Sequence, residues 1–155
     1  MGLRHRRYLV EGWVKVKQFF PGVSNPLFHG TSGPKASSII LDKQGIKQVS
    51  SHRSGATQVG ISLTRSLDKA FDFGPYVVVV DASRLKRKTK PLQYYYSGNW
   101  DDEMEERYYG DIPLNAIVGL VINRKAQGYE RKDPAVQRSG VPFLHKVSGK
   151  YERVN

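Results

Sequence analysis

The strongest pattern in the chain is Tyr76-Val77-Val78-Val79-Val80-Asp81, an apolar, β-branched run without alternation. Such a run predicts a central strand buried on both faces. Val59-Gly60-Ile61-Ser62-Leu63-Thr64 alternates instead. It predicts a strand with Ile61 and Leu63 on one face and Ser62 and Thr64 on the other. Leu27-Phe28-His29 predicts a short strand after a loop marked by Pro21, Gly22, Asn25 and Pro26. Glu105 to Tyr109 and Ile117 to Ile122 predict two more, the second closing the core, and Leu92 to Tyr96 is a further candidate.

Two segments predict helices. In Ser32 to Gly45 the residues Ala36, Ile39, Ile40 and Lys43 fall near helical spacing, and Gly45 suits a C-cap. Leu67 to Phe73 is preceded by Ser66 as N-cap and closed by Gly74-Pro75. Ile46 to Ala56 is polar and predicts an exposed, mobile loop. Many short strands with two modest helices make an α+β fold, with antiparallel-rich sheets packed around one core and a cleft between them. The length of 155 residues fits a single domain. Its core is expected at about residues 27–123, between a basic N-terminal segment, 1–26, and a basic tail, 124–155.

Composition narrows the chemistry. The apolar fraction of 39%, with nine Tyr and six Phe, is that of a chain that folds. Cysteine is absent, which excludes disulfides, thiolate zinc sites and thiol nucleophiles. No apolar run approaches the roughly 20 residues of a membrane helix. Met1 to Val10 is basic, but Glu11 and Gly12 cut its apolar stretch short, so it makes a poor secretion signal. A cytoplasmic location is the expectation.

Charge changes the picture more. The net charge is +11, which favours phosphate-rich partners through counterion release. Arg84, Lys86, Arg87, Lys88 and Lys90 form one basic run. Arg124, Lys125, Arg131, Lys132, Arg138, Lys146, Lys150 and Arg153 make the last part of the chain basic. Against this background, Asp101 to Glu106 holds five carboxylates in six positions. Either it is a solvated loop that offsets nearby cations, or one carboxylate is recruited to stabilise positive charge in a reaction.

Pro26-Leu27-Phe28-His29-Gly30-Thr31-Ser32 ends an apolar run in one imidazole, a glycine and two hydroxyls. A strand that stops there presents an imidazole and backbone amides at a sheet edge, able to grip a flat carboxamide. Cleavage of the nicotinamide–ribose bond of NAD needs such a grip. Its transition state resembles an oxocarbenium ion, so a fixed carboxylate near the ribose carbon stabilises the developing charge. The leaving group is already cationic, so the remaining work is positioning. No metal is required. The ordinary readings are a satisfied polar histidine at a strand end and half-exposed hydroxyls on a strand face.

His29-Gly30-Thr31-Ser32, then Gly60-Ile61-Ser62-Leu63-Thr64-Arg65-Ser66 with Ala70 and Phe73-Gly74, then Val77 to Asp81, then Asp102 to Arg107 before Gly110-Asp111-Ile112-Pro113-Leu114, together resemble the ADP-ribosyltransferase fold. The likeness is to small phage and prophage proteins of that pattern and spans roughly Leu27 to Asn123. It implies a mono-ADP-ribosyltransferase that uses NAD as substrate. His29 would contact the nicotinamide-bearing ribose, and the backbone of Gly30 would hold the carboxamide, with Thr31 on the same binding edge. Ser62 and Thr64 would brace the cleft. Phe71 or Phe73 would stack on nicotinamide, where the family often has tyrosine. Arg65 would bind an NAD phosphate or pair with the acidic loop. Glu105 or Glu106 would be the catalytic glutamate; Glu103-Met104-Glu105 fits the family's acidic-x-Glu pattern and favours Glu105. Neighbouring strand positions point to opposite faces, so only one can face the cleft.

The acceptor implied by the charge is DNA, RNA or a protein bound to them. Two other readings stand beside this one. The first is a non-catalytic basic nucleic-acid-binding or virion-associated protein on the same fold. The second is NAD-dependent removal of a 2′-phosphate from RNA. That chemistry needs several Arg and His at the phosphate, and only His29, His52 and Arg53 are suitably placed. Tyr94, Tyr95 and Tyr96 suit either base stacking or the core and rim of a strand.

Overall fold

A computed structural model describes residues 12–48, 51–53, 56–58, 60–91, 105–123 and 140–154. The protein is α+β. Ten strands are described: β1 Pro26–Thr31, β2 Ser51–Arg53, β3 Ala56–Gln58, β4 Ile61–Thr64, β5 Tyr76–Asp81, β6 Lys90–Pro91, β7 Glu105–Tyr108, β8 Ile117–Asn123, β9 Phe143–Val147 and β10 Lys150–Arg153. The α-helices are α1 Gly33–Ile40 and α2 Leu67–Ala70.

Eight strands form one mixed sheet in the order β10-β9-β8-β5-β1-β4-β7-β6, and β2 pairs with β3 as a separate hairpin. All neighbours in the large sheet are antiparallel except β8 and β9, which are parallel. The expectation of two packed sheets is therefore corrected. One sheet nearly parts in its middle: β1 pairs with β5 along Pro26↔Asp81 to Thr31↔Tyr76, but with β4 only at Phe28↔Thr64. Beyond that point β1 and β4 diverge, and the two halves of the sheet open a cleft.

β5 is buried at all six positions, as its unbroken valine run requires. Val78 and Val80 join one apolar cluster with Leu27, Leu63 and the Ala36, Ile39 and Ile40 face of α1. Val77 and Val79 join the other with Phe28, Leu67, Ala70 and Leu144. Each wholly buried valine contributes about 1.5–3 kcal/mol relative to exposure. The sheet thus carries a core on both faces.

Three boundaries differ from expectation. The first helix ends at Ile40, not Gly45, because Lys43 turns the chain with φ 58°. Ile46 then bridges to Ile112, and the segment read as a loop contains β2. The core also extends past both ends of residues 27–123. Val16 and Phe20 are buried, and Phe20 lies so close to Gly119 that a Cβ there would fall 2.0 Å from its ring. Phe143 and Leu144 of β9 are buried beside β8, so Ile117 to Ile122 is not the last strand. The segments 92–96, 101–104 and 124–139, including Tyr94, Tyr95, Tyr96, Glu103 and much of the basic tail, lie outside the described residues. Among the described residues no helix is long and apolar enough to cross a membrane.

Candidate active site

The parting of β1 from β4 leaves a cleft of about 530 Å³. Its walls come from the end of β1 (His29, Gly30, Thr31), the first turn of α1 with Lys35, the Gln44–Lys47 segment, and the start of β4 with Ser62. Ser38, Ile39, Phe73 and Arg107 also line it. A smaller recess of about 50 Å³ shares His29, Gly30, Ser62 and Phe73 with the cleft and reaches Thr64 and Glu105.

His29 bridges the gap between the strands. Its Nδ1 lies 2.9 Å from the carbonyl oxygen of Ser62. A carbonyl only accepts, so Nδ1 carries the hydrogen and Nε2 remains an acceptor in the neutral ring. Burial holds the imidazole below its ordinary value of 6.5. The Ser62 carbonyl opposes that shift, and the positive charge of Lys35 adds to it. The unfolded chain therefore takes up this proton at higher pH than the folded one. The ring's contribution to stability is complete above about pH 6.5. It is lost as pH falls from there through the depressed folded value. Stability should therefore rise with pH through that window. NMR titration of the His29 ring should give a midpoint below 6.5; a midpoint at or above it would contradict the assignment.

Gly30 is a packing requirement. A Cβ at this position would lie 1.9 Å from the Ala70 carbonyl oxygen and 3.0 Å from Phe73 Cβ. The α2 turn can rest on β1 only where no side chain intervenes. Ser66 caps that turn, its hydroxyl accepting from the Lys69 amide at 3.2 Å. The following 3₁₀ turn, Phe71–Phe73, projects Phe73 at the cleft with 52% of its surface exposed. Phe71 is not brought to the cleft. It packs against the opposite core, with the Lys146 ammonium 5.1 Å from its ring centroid.

Register separates the two glutamates. Thr64 pairs with Glu105, and Ser62 with Arg107, so these four side chains share one face. Ser62 Oγ donates to Glu105 Oε1 at 2.6 Å, and Arg107 Nη2 donates to the same oxygen at 3.1 Å. Thr64 is buried, and its hydroxyl accepts from the Ser66 amide at 3.1 Å, bracing the end of β4. Glu106 pairs with Leu63 and faces the α1 side of the sheet. Arg65 donates to both of its oxygens, at 3.0 Å from Nη2 to Oε1, and Thr89 Oγ1 donates to Oε1 at 2.7 Å. Arg65 also donates to Asn25 Oδ1. Arg65 is thus committed to Glu106 and contributes nothing to the cleft lining.

The structure therefore gathers His29, Gly30, Thr31, Ser62, Thr64, Glu105 and Phe73 at one place, and sets Arg65, Glu106 and Phe71 apart from it. It adds Lys35 and Arg107, which had no role assigned from sequence. Arg107 was detectable in principle, since residue i+2 on a strand shares the face of residue i. Among the described residues no group of three or more His, Asp or Glu is placed to hold a metal ion. The fold and site define an α+β protein with a split, antiparallel-rich sheet and a buried carboxylate at the split. Comparison with family models, with curated proteins and with solved structures gave no match.

Proposed function

We propose that this protein is a mono-ADP-ribosyltransferase that transfers ADP-ribose from NAD to a nucleic acid or a nucleic-acid-associated protein. The observation that carries the reading is the convergence of His29, Ser62 and Glu105 where the sheet parts. A cleft of about 530 Å³ falls within the range of small-molecule and cofactor pockets. Bound NAD supplies a ribose carbon whose bond to cationic nicotinamide breaks with its electron pair leaving on the nicotinamide nitrogen; the acceptor's lone pair forms the new bond and the acceptor's proton is released.

The residues have separate tasks. His29 Nε2 accepts from a ribose hydroxyl, because Nδ1–H is engaged by the Ser62 carbonyl. Ser62 fixes the Glu105 carboxylate through a 2.6 Å hydrogen bond. Glu105 supplies negative charge at the ribose carbon as positive charge develops there. Phe73 offers a ring face at the mouth, and Lys35 offers a cation on the opposite wall. The test is incubation with labelled NAD and separate pools of protein and nucleic acid. Nicotinamide release with label entering either pool supports the reading; its absence with both pools opposes it.

The basic run carries the acceptor side of the proposal. Lys86 and Lys88 are exposed on the connector between β5 and β6, next to the strand that bears Glu105. Affinity for a polyanion should fall with salt, with a log–log slope near −0.7 per neutralised phosphate for single strands and −0.9 for duplex DNA. Changing Lys86 and Lys88 together to Gln should flatten that slope by one to two phosphates' worth. A slope unaffected by both changes would remove this surface from the acceptor site.

A further inference from the structure

Arg107 holds Glu105 and lines the cleft. It follows Glu105 by two positions on β7, so both side chains lie on one face, and Arg107 itself is in register with Ser62 on one side and Lys90 on the other. Its Nη2 donates to Glu105 Oε1 at 3.1 Å, and the two side chains are only 9% and 5% exposed. Arg107 lines the cleft of about 530 Å³, whereas Glu105 lines only the recess of about 50 Å³. The recess has about a tenth of the volume of the cleft. A carboxylate held by a guanidinium is also partly neutralised, which weakens the charge it can offer to a cation forming beside it.

A guanidinium has five donors in a planar fork and can trade one anion for another without losing its charge. From this geometry we propose that Arg107 is a phosphate-sensing clasp on Glu105. A phosphate entering the cleft takes over the guanidinium, and Glu105, still held by Ser62, then turns its charge to the ribose. The proposal rests on the reading of Glu105 given above. It makes turnover depend on a phosphate in the cleft, and so makes Arg107 a specificity-determining residue. The phosphate is either that of the nicotinamide nucleotide itself or one carried by the acceptor. No bond to Arg107 forms. In the hydrolytic half-test below, the ribose–nicotinamide bond breaks with its pair on nicotinamide, water oxygen forms the new bond, and one proton enters solvent.

The experiment compares nicotinamide release from NAD, nicotinamide mononucleotide and nicotinamide riboside by the wild-type protein, Arg107→Gln and Arg107→Lys. The wild type should prefer the two phosphate-bearing substrates. Arg107→Gln should narrow that preference at least about tenfold, because the phosphorylated substrates lose their ligand while the riboside, with Glu105 no longer clasped, is turned over faster than by the wild type. Arg107→Lys should retain part of it. If the riboside and the mononucleotide are turned over equally slowly and both accelerate when a phosphate-bearing oligonucleotide is added, the acceptor's phosphate is the trigger. Binding of ADP-ribose and of inorganic pyrophosphate, followed by calorimetry, gives a readout independent of activity. Both should weaken about tenfold or more in folded Arg107→Gln, as checked by circular dichroism. Equal binding in wild type and variant overturns the clasp, as does an Arg107→Gln protein whose substrate preference and oligonucleotide dependence both match the wild type. Failure of every protein to release nicotinamide, with pyrophosphate binding still dependent on Arg107, would overturn the transferase reading and, with it, the clasp on Glu105, leaving Arg107 a phosphate ligand only.

Discussion

Glu105→Gln should lower turnover by about 10²–10³ while leaving NAD affinity within a few-fold of wild type. The amide keeps the size of the carboxylate and can still accept from Ser62, whose hydroxyl lies 2.6 Å from Oε1. What it loses is charge. Charge at this position acts mainly on the transition state, because the ribose becomes cationic only as nicotinamide departs. The loss therefore belongs in kcat. The same change removes a negative charge beside a guanidinium whose side chain is only 9% exposed, so some stability will go with it. Turnover must be measured well below the variant's unfolding temperature, with nicotinamide release and label transfer followed separately. A folded Glu105→Gln protein with near wild-type turnover would leave the transferase reading without its chemical centre.

The parts of this site that depend on local pattern were legible in the sequence. The alternation Ile61-Ser62-Leu63-Thr64 put the two hydroxyls on one face, and the strand register carries them to Glu105. Ser66 read as an N-cap and serves as one. The valine run read as a doubly buried strand and is one. Those signals are periodicity and capping, which neighbours in sequence determine. The family resemblance favoured Glu105 over Glu106, but strand periodicity alone gave only their opposition. Parity along β7 says that they face apart; only the pairing of Thr64 with Glu105 says which one faces Ser62. Pairing across 41 residues is a tertiary fact. The same holds for Phe71 and Phe73, which a 3₁₀ turn sends in different directions.

Other differences have equally specific causes. β9 and β10 went unseen because the buried part of β9 is just Phe143 and Leu144, too short to establish a period. β9 is held by parallel pairing to β8, which depends on a distant segment. The N-terminal segment read as peripheral because Lys15, Lys17 and Gln18 interrupt its apolar residues and leave no clean period. Its anchor is invisible locally: a glycine at position 119 that leaves room for the Phe20 ring. The divided sheet was read as two sheets, since a single shared pair between β1 and β4 leaves little trace in either strand's sequence.

Glu106 should show the reverse balance from Glu105: a large loss of stability and a small loss of turnover per folded molecule. Its carboxylate is 7% exposed and takes hydrogen bonds from Arg65 and Thr89, while the Arg65 side chain is 16% exposed. Removing one member of such a pair leaves the other charge poorly solvated, at a cost of about 3–5 kcal/mol. Arg65 also donates to Asn25, whose backbone amide lies 3.4 Å from Asp81 Oδ1, so the pair ties the end of β4 to the start of β1 and the end of β5. Those strands flank the split, and loosening them should lower the unfolding midpoint in urea without touching the Ser62–Glu105 contact. Glu106→Gln is expected to fall at the lower end of that range, because its amide oxygen can still accept from Arg65 or Thr89. Replacing both partners, Arg65→Met with Glu106→Leu, should recover part of the loss, since no buried charge is then left alone. Equilibrium unfolding of the two single variants and the double variant gives the coupling directly. If Glu106→Gln instead keeps wild-type stability and loses turnover, the catalytic carboxylate is Glu106, and β7 must present its other face to the substrate.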